Sequence, residues 1–170
     1  MTEQPCVLCL VAQGKIQAQK VLESDRTIAV MNTREPQARG HIVIFPKHHA
    51  TALHEMDPED LSEVAAVARA LANAQGLENY NLLHNAGALA GQTVFHAHFH
   101  LIPKWSEQEG FRYTWKTDGG FNQQESYLKI KETLAASSDG HGLGGVRTAN
   151  RQRDRGAGSG KRTGGLDTDA

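Results

Sequence analysis

Gly-Gln-Thr-Val-Phe-His-Ala-His-Phe-His-Leu-Ile-Pro-Lys, residues 91–104, is the stretch that decides the fold. Three histidines, His96, His98 and His100, alternate in it with apolar residues. Successive side chains of a β-strand project to opposite faces of a sheet. The spacing therefore predicts a strand with three imidazoles on one face and the intervening apolar side chains on the other.

The geometry of a strand limits what these three imidazoles can do together. Neighbours on one face lie about 6.5–7 Å apart at Cα, whereas zinc binds nitrogen at about 2.0–2.1 Å. One metal ion cannot easily take all three rings. We therefore expect the rings to divide the roles of nucleophile, general acid or base, and metal ligand.

Several further motifs accompany the triad. They are residues 90–94 (AGQTV), 103 (Pro), 40–47 (GHIVIFPK), 85–87 (NAG) and 6–9 (CVLC). Together with the triad they resemble the signature of the histidine triad (HIT) family of nucleotide hydrolases and transferases. The resemblance extends over about residues 5–135 and is greatest to the bacterial, zinc-bearing, Hint-like members.

The rest of the chain predicts an α+β fold. Short apolar runs bounded by turn residues predict strands at 20–23, 27–31, 42–45 and 80–84, which join the histidine strand in a mostly antiparallel five-stranded sheet. The stretch from Asp57 to Gly76 predicts one long helix across the sheet, because an N-cap residue, a proline and acidic residues precede a helical apolar stripe. The resemblance further implies a homodimer.

The resemblance implies that His98 is the nucleophile. The ring would attack the α-phosphate of a nucleotide derivative, form a nucleotidyl-histidine and pass the nucleotide to water or another acceptor. For this step one ring nitrogen must be unprotonated while a nearby carbonyl holds the other N–H group. The implied substrate is a purine nucleoside phosphoramidate or acyl-nucleotide.

The phosphate is expected to bind to His100 and to the loop before the triad, through preorganised donors. The candidate donors in the loop are Asn85, Gly91, Gln92, Thr93 and Val94. The resemblance also implies that the Thr93 hydroxyl hands a proton to the leaving group. For Asn85 and Gln92, a purely loop-capping role is the alternative.

Asn32 is the residue that the resemblance places against the ribose hydroxyls. Phosphoramidase-like members commonly carry Asp at this position, whereas the dinucleoside polyphosphate hydrolase branch resembles the Asn found here. Hydrolysis of dinucleoside polyphosphates is therefore an alternative function. A non-catalytic, zinc-stabilised scaffold is a second alternative, against which the complete triad argues.

Cys6 and Cys9, three residues apart, are compatible with free thiols, a redox pair or half of a zinc site. The resemblance implies a structural zinc ion bound by these two cysteines, His49 and His96, with His48 as the alternative to His49. No redox cofactor is expected, since the N-terminus lacks the thioredoxin-like context of a redox motif.

Charge and composition divide the chain near residue 136. Residues 1–136 contain 12 Lys and Arg against 15 Asp and Glu, so this part does not indicate a nucleic-acid-binding surface. Residues 137–170 hold 9 of the 17 glycines and almost no large apolar residue, which predicts a disordered tail. With no signal segment or long apolar run, we expect a cytoplasmic protein without a membrane span.

Overall fold

Five strands form one sheet in the computed structural model, which describes residues 5–114 and 119–137. The strands are β1 (Lys20–Glu23), β2 (Thr27–Met31), β3 (Ile42–Pro46), β4 (Tyr80–Leu83) and β5 (Phe99–Pro103). Their order is β1-β2-β3-β5-β4, and every neighbouring pair is antiparallel. The predicted α+β fold with a five-stranded antiparallel sheet is confirmed.

Strand β5 is shorter than the alternating pattern predicts. It begins at Phe99, so His96 and His98 lie in the segment before the strand and only His100 lies within it. The pairing of β3 with β5 ends at Ile44 opposite Phe99. Pro46 lies two residues beyond Ile44 and has no backbone N–H group, so it cannot donate a hydrogen bond that would continue the ladder. The sheet therefore ends within the triad, between His98 and His100.

The predicted long helix packs on the sheet. Helix α2 (Pro58–Ala74) begins with Pro58 at its first position and acidic residues in its first turn, where the helix dipole favours negative charge. Its apolar stripe packs on one face of the sheet. The buried core there consists of Ala29, Ile42, Ile44, Val64, Val67, Ala68, Leu71, Ala72, Phe99 and Leu101.

The short helix α1 (Val7–Ala12) follows Cys6 and contributes Val11 to a second buried cluster with Ile28, Val30 and Phe45. Helix α3 (Gln123–Ser137) belongs to a separate unit, since the described residues divide after Thr114. Within residues 5–114 and 119–137, no helix has both the length and the apolar character needed to cross a membrane. Residues 138–170 lie outside the described residues, so the tail over 137–170 and its boundary with 1–136 stay predictions.

Candidate active site

His98 presents an unprotonated nitrogen. Its Nδ1 lies 2.6 Å from the carbonyl oxygen of His96. Because a carbonyl only accepts, Nδ1 carries the proton and Nε2 keeps its lone pair in the neutral ring. Burial lowers the pKa of His98, the hydrogen bond to His96 opposes this, and neighbouring His84 lowers the pKa further. The ring is therefore neutral at neutral pH, which is the state that a nucleophile requires.

His100 is held in the opposite tautomer by a chain of two hydrogen bonds. The backbone N–H of Gln37 donates to Nδ1 of His41 over 3.1 Å, so the His41 proton is on Nε2. That Nε2 lies 3.0 Å from Nδ1 of His100 and donates to it. Consequently His100 carries its own proton on Nε2. Burial, with the nearby His98, His41 and His84 rings, lowers the pKa of His100 to about 4.

The His98 and His100 rings are neighbours with complementary roles. Their centroids lie 5.1 Å apart at an interplanar angle of 77°. One ring offers a lone pair on Nε2 and the other an N–H donor on Nε2. A nucleophile beside a donor is the arrangement needed to attack a phosphorus atom while an oxygen on that atom is stabilised.

The loop before the triad supplies backbone donors. Among residues 5–114, the N–H groups of Thr93 and Val94 have no hydrogen-bond partner, and Thr93 is exposed. Gly91 has a φ of +84°. The Nδ2 atom of Asn85 lies 3.6 Å from the position that a Cβ atom on Gly91 would occupy. The loop is tied to the triad because the N–H of His96 donates to the Val94 carbonyl over 2.9 Å.

Gln92 uses its side chain inside the loop. Its Oε1 accepts from the N–H of Gly87 over 2.7 Å, and its Nε2 donates to the carbonyls of Thr51 over 2.7 Å and Val94 over 3.1 Å. The side chain is only 5% exposed. These contacts favour the loop-capping alternative for the Gln92 side chain.

Asn32 lies beside an open cleft of about 460 Å³. The cleft is lined by Met31, Asn32, Pro36, Gln37, Ala38, Arg39, Gly40, His41 and Glu109. The Nδ2 group of Asn32 lies 3.3 Å from the Glu35 carbonyl and 3.2 Å from Nδ1 of His41. Its Oδ1 has no hydrogen-bond partner within the described chain. Asn32 therefore lines the cleft with an acceptor atom left unused, as an aspartate would.

The four predicted metal ligands converge at the first histidine of the triad: they are Cys6, Cys9, His49 and His96. Nδ1 of His96 lies 3.4 Å from Sγ of Cys6, 3.5 Å from Sγ of Cys9 and 3.3 Å from Nδ1 of His49. Tetrahedral zinc with bonds of about 2.0–2.3 Å places neighbouring ligand atoms roughly 3.3–3.6 Å apart. The spacing therefore fits such an ion.

The protonation of His96 also fits a metal site. Its Nε2 donates to the Pro46 carbonyl over 2.8 Å, so the lone pair on Nδ1 faces the two thiols. Burial, followed by the Cys6 thiol, raises the pKa of Cys9 to about 11 in the metal-free chain. A bound cation reverses this preference and favours the thiolate.

The choice between His48 and His49 follows from the turn after β3. His49 points into the cluster, with Nδ1 3.3 Å from Sγ of Cys9. His48 instead lies 3.0 Å from Oδ2 of Asp60, and its side chain is 68% exposed. Asp60 also pairs with Arg26 at 2.9 Å. His49 is therefore the residue placed to bind a metal.

Two functional histidines escape the reasoning from sequence. His41 accepts the Gln37 N–H and fixes the tautomer of His100, and its residue type alone assigns it neither role. His84 donates from Nδ1 to the His98 carbonyl over 2.9 Å. Only the position of His41 inside a motif of the resemblance could have pointed to its role, and nothing around His84 in the sequence does so.

The fold is a small antiparallel sheet, and His96, His98 and His100 place neutral imidazoles at its end. These two features define the class of protein. Residues 13–107 match the family described as the HIT domain. The match covers more than half of the chain, and the chain belongs to this family.

Similar proteins and similar solved structures support the assignment to this family. The adenosine 5′-monophosphoramidase of Saccharomyces cerevisiae is 38% identical over 110 residues, which cover 65% of this chain and 69% of that protein. The adenosine 5′-monophosphoramidase of Candida albicans is 34% identical over 140 residues, which cover 76% of this chain and 91% of that protein. The crystal structure of the histidine triad nucleotide-binding protein from Candida albicans has a TM-score of 0.70 at 33% identity, covering 78% of this chain and 99% of that one.

Proposed function

We propose that this protein hydrolyses purine nucleoside 5′-phosphoramidates at the α-phosphate, through a nucleotidyl intermediate on His98. The observation that carries the proposal is the hydrogen bond from Nδ1 of His98 to the His96 carbonyl, which leaves Nε2 free to attack. The relatives named adenosine 5′-monophosphoramidase support the substrate class.

In the first step, Nε2 of His98 forms a bond to phosphorus as the bond from phosphorus to the leaving nitrogen breaks. The ring gains positive charge, which the His96 carbonyl at 2.6 Å stabilises. Nε2–H of His100 donates to a phosphoryl oxygen, joined by the N–H groups of Thr93 and Val94. The Thr93 hydroxyl passes its proton to the departing amine and takes a proton from solvent water in return, so it is again a hydroxyl after the step.

In the second step, water attacks the phosphorus and the bond to His98 breaks. The products are a nucleoside monophosphate and the free neutral imidazole. The proton lost by the water passes to the solvent, directly or by relay through the Thr93 hydroxyl. Transfer to another acceptor follows the same course with the acceptor in place of water.

The cleft beside Asn32 is the proposed nucleoside site, with Oδ1 of Asn32 accepting from the ribose hydroxyls. Both hydrogens of Nδ2 are directed at the Glu35 carbonyl and at His41. The amide thus acts toward the ribose as the Asp of phosphoramidase-like members would. This weakens the argument from Asn32 for the dinucleoside polyphosphate alternative.

We also propose that Cys6, Cys9, His49 and His96 hold a structural zinc ion. The ligand spacing and the lone pair on His96 Nδ1 support this. Zinc bound there would supply rigidity, because it would fix the ring of the residue whose carbonyl holds His98. Thiolate ligands require a reducing compartment, which agrees with a cytoplasmic location.

A homodimer is proposed through the edge of β4 that no other strand of the described residues covers. This strand ends the sheet, and its Tyr80 and Leu82 side chains are 47% and 46% exposed. An unpaired edge with apolar side chains is a natural site for joining a second sheet. Sedimentation of the wild type and of Leu82→Lys tests this, since the variant should be a monomer.

The first experiment is turnover of adenosine 5′-phosphoramidate by the wild type and by His98→Ala, with zinc measured on the same samples. The control is His54→Ala, which changes a histidine whose side chain is 76% exposed. His98→Ala should lose at least about a thousandfold, on the order of 4 kcal/mol of transition-state stabilisation. Diadenosine tetraphosphate is assayed in parallel. Equal inactivity of wild type and His98→Ala on both substrates would disprove the proposal.

A further inference from the structure

The backbone carbonyl of His98 lies just beyond the end of the sheet. The pairing of β4 with β5 ends with Leu83 opposite His100. On the other side, the pairing of β3 with β5 ends with Ile44 opposite Phe99. Within residues 5–114, no backbone N–H group donates to the His98 carbonyl. The nucleophile is therefore carried on a residue that the ladder does not hold.

The side chain of His84 replaces the missing ladder bond. The N–H of Leu53 donates to Nε2 of His84 over 3.1 Å, so the His84 proton is on Nδ1. That Nδ1 group donates to the His98 carbonyl over 2.9 Å. The ring also stacks on Phe99, with centroids 4.7 Å apart and planes at 23°. Both nitrogens and one ring face are thus used to hold backbone next to the nucleophile.

The other end of this bridge is a well-anchored segment, residues 50–55. The carbonyl of Ala50 accepts from the N–H of Ala97 over 2.6 Å, and that of Thr51 accepts from Nε2 of Gln92 over 2.7 Å. Residues 50–55 therefore contact the chain on the N-terminal side of His98, and through His84 they also contact the carbonyl of His98 itself.

We propose that His84 is a positioning residue for the reaction: it fixes the His98 carbonyl against Leu53 and so orients the attacking ring. His96 holds the ring of His98 through its carbonyl, and His84 holds the backbone. Two restraints on one residue define the direction of Nε2 better than one. The kinetic part of this inference rests on the proposed function.

Two substitutions separate the bridge from the bulk of the ring. His84→Phe keeps a flat ring on Phe99 but removes both hydrogen bonds. His84→Asn places an amide donor near the position of Nδ1, so it retains the bond to the His98 carbonyl and loses the one to Leu53. Turnover of adenosine 5′-phosphoramidate is then measured, together with the melting temperature of each full-length variant.

His84→Phe should lower kcat about tenfold to a hundredfold with KM within about twofold, because a small misplacement of a reacting group costs this much. His84→Asn should recover most of kcat. A purely structural role predicts instead that both variants lose activity only in proportion to the folded fraction. Wild-type kcat in a folded His84→Phe variant would overturn the inference.

A second measurement does not depend on activity. Long-range proton–nitrogen NMR of the wild type should show His84 and His98 both protonated on Nδ1, and His84→Phe should speed hydrogen exchange of the Leu53 amide. A His84 ring protonated on Nε2 would overturn the inference, since it could not accept from Leu53. If the wild type turns over no nucleotide, the proposed function fails while this measurement still decides the role of His84.

Discussion

Replacement of His41 tests how the site controls the proton on His100. His41 is 2% exposed, accepts from Gln37 and donates to His100. His41→Phe keeps a ring of similar size and removes both of these hydrogen bonds, together with the 3.2 Å contact between Nδ1 of His41 and Nδ2 of Asn32. His100 is then free to carry its proton on Nδ1, which turns a lone pair toward the phosphate in place of a donor.

The expected losses follow from these contacts. Removing one donor to a developing oxyanion costs about a hundredfold to a thousandfold in kcat. Two hydrogen bonds of about 1 kcal/mol each, one of which leaves the Gln37 N–H without its acceptor, lower the free energy of unfolding by about 2 kcal/mol. Most of the folded protein therefore remains, while most of the activity is lost.

The assay is turnover of adenosine 5′-phosphoramidate, with urea unfolding to confirm that the variant is folded. His41→Gln is the matched comparison, because its amide can still donate toward His100. It should keep more activity than His41→Phe. A folded His41→Phe variant within about threefold of wild-type kcat would refute the argument that His41 sets the tautomer of His100.

Three further predictions concern pH, metal and substrate. Because burial lowers the pKa of His100 to about 4 in the folded state, the unfolded chain binds its proton more readily between that pH and about 6.5. The free energy of unfolding should therefore fall by roughly 2 kcal/mol, after allowance for solvent screening, as the pH drops through this window; urea titrations should show a flatter profile for His100→Asn. A chelator should lower the melting temperature of the wild type but not of Cys9→Ser, and an equal response of both would exclude a metal at the cluster. Asn32→Ala should raise KM for the phosphoramidate about tenfold with little change in kcat, and an unchanged KM would remove Asn32 from the nucleoside site.

The fold could be predicted from the sequence because its signals are local. Apolar runs between turn residues mark the strands, and the proline and acidic residues after Asp57 mark the start of α2. The extent of β5 could not be predicted, because alternation of His96, His98 and His100 also fits an extended segment outside a sheet. Where the ladder stops depends on Pro46 in a neighbouring strand.

The side-chain pairings of the site lie further from what a sequence reveals. His41 and His100 are 59 residues apart, and their hydrogen bond depends on the register of β3 against β5. The choice of His49 over His48 depends on how the chain turns after β3, since adjacent residues point in different directions. Spacing between motifs indicates which residues are candidates but not which nitrogen carries the proton.

The position of β5 between β3 and β4 has a consequence for which length changes the chain tolerates. One residue inserted between His98 and Phe99 would either move the nucleophile away from the start of β5 or slip the register of β5, and a slip exchanges the two faces for every following side chain. An extra residue near Leu89, which is fully exposed in the loop before the triad, displaces no paired strand. Insertions and deletions should therefore accumulate around residues 88–90, while the spacing from His98 to Pro103 stays fixed.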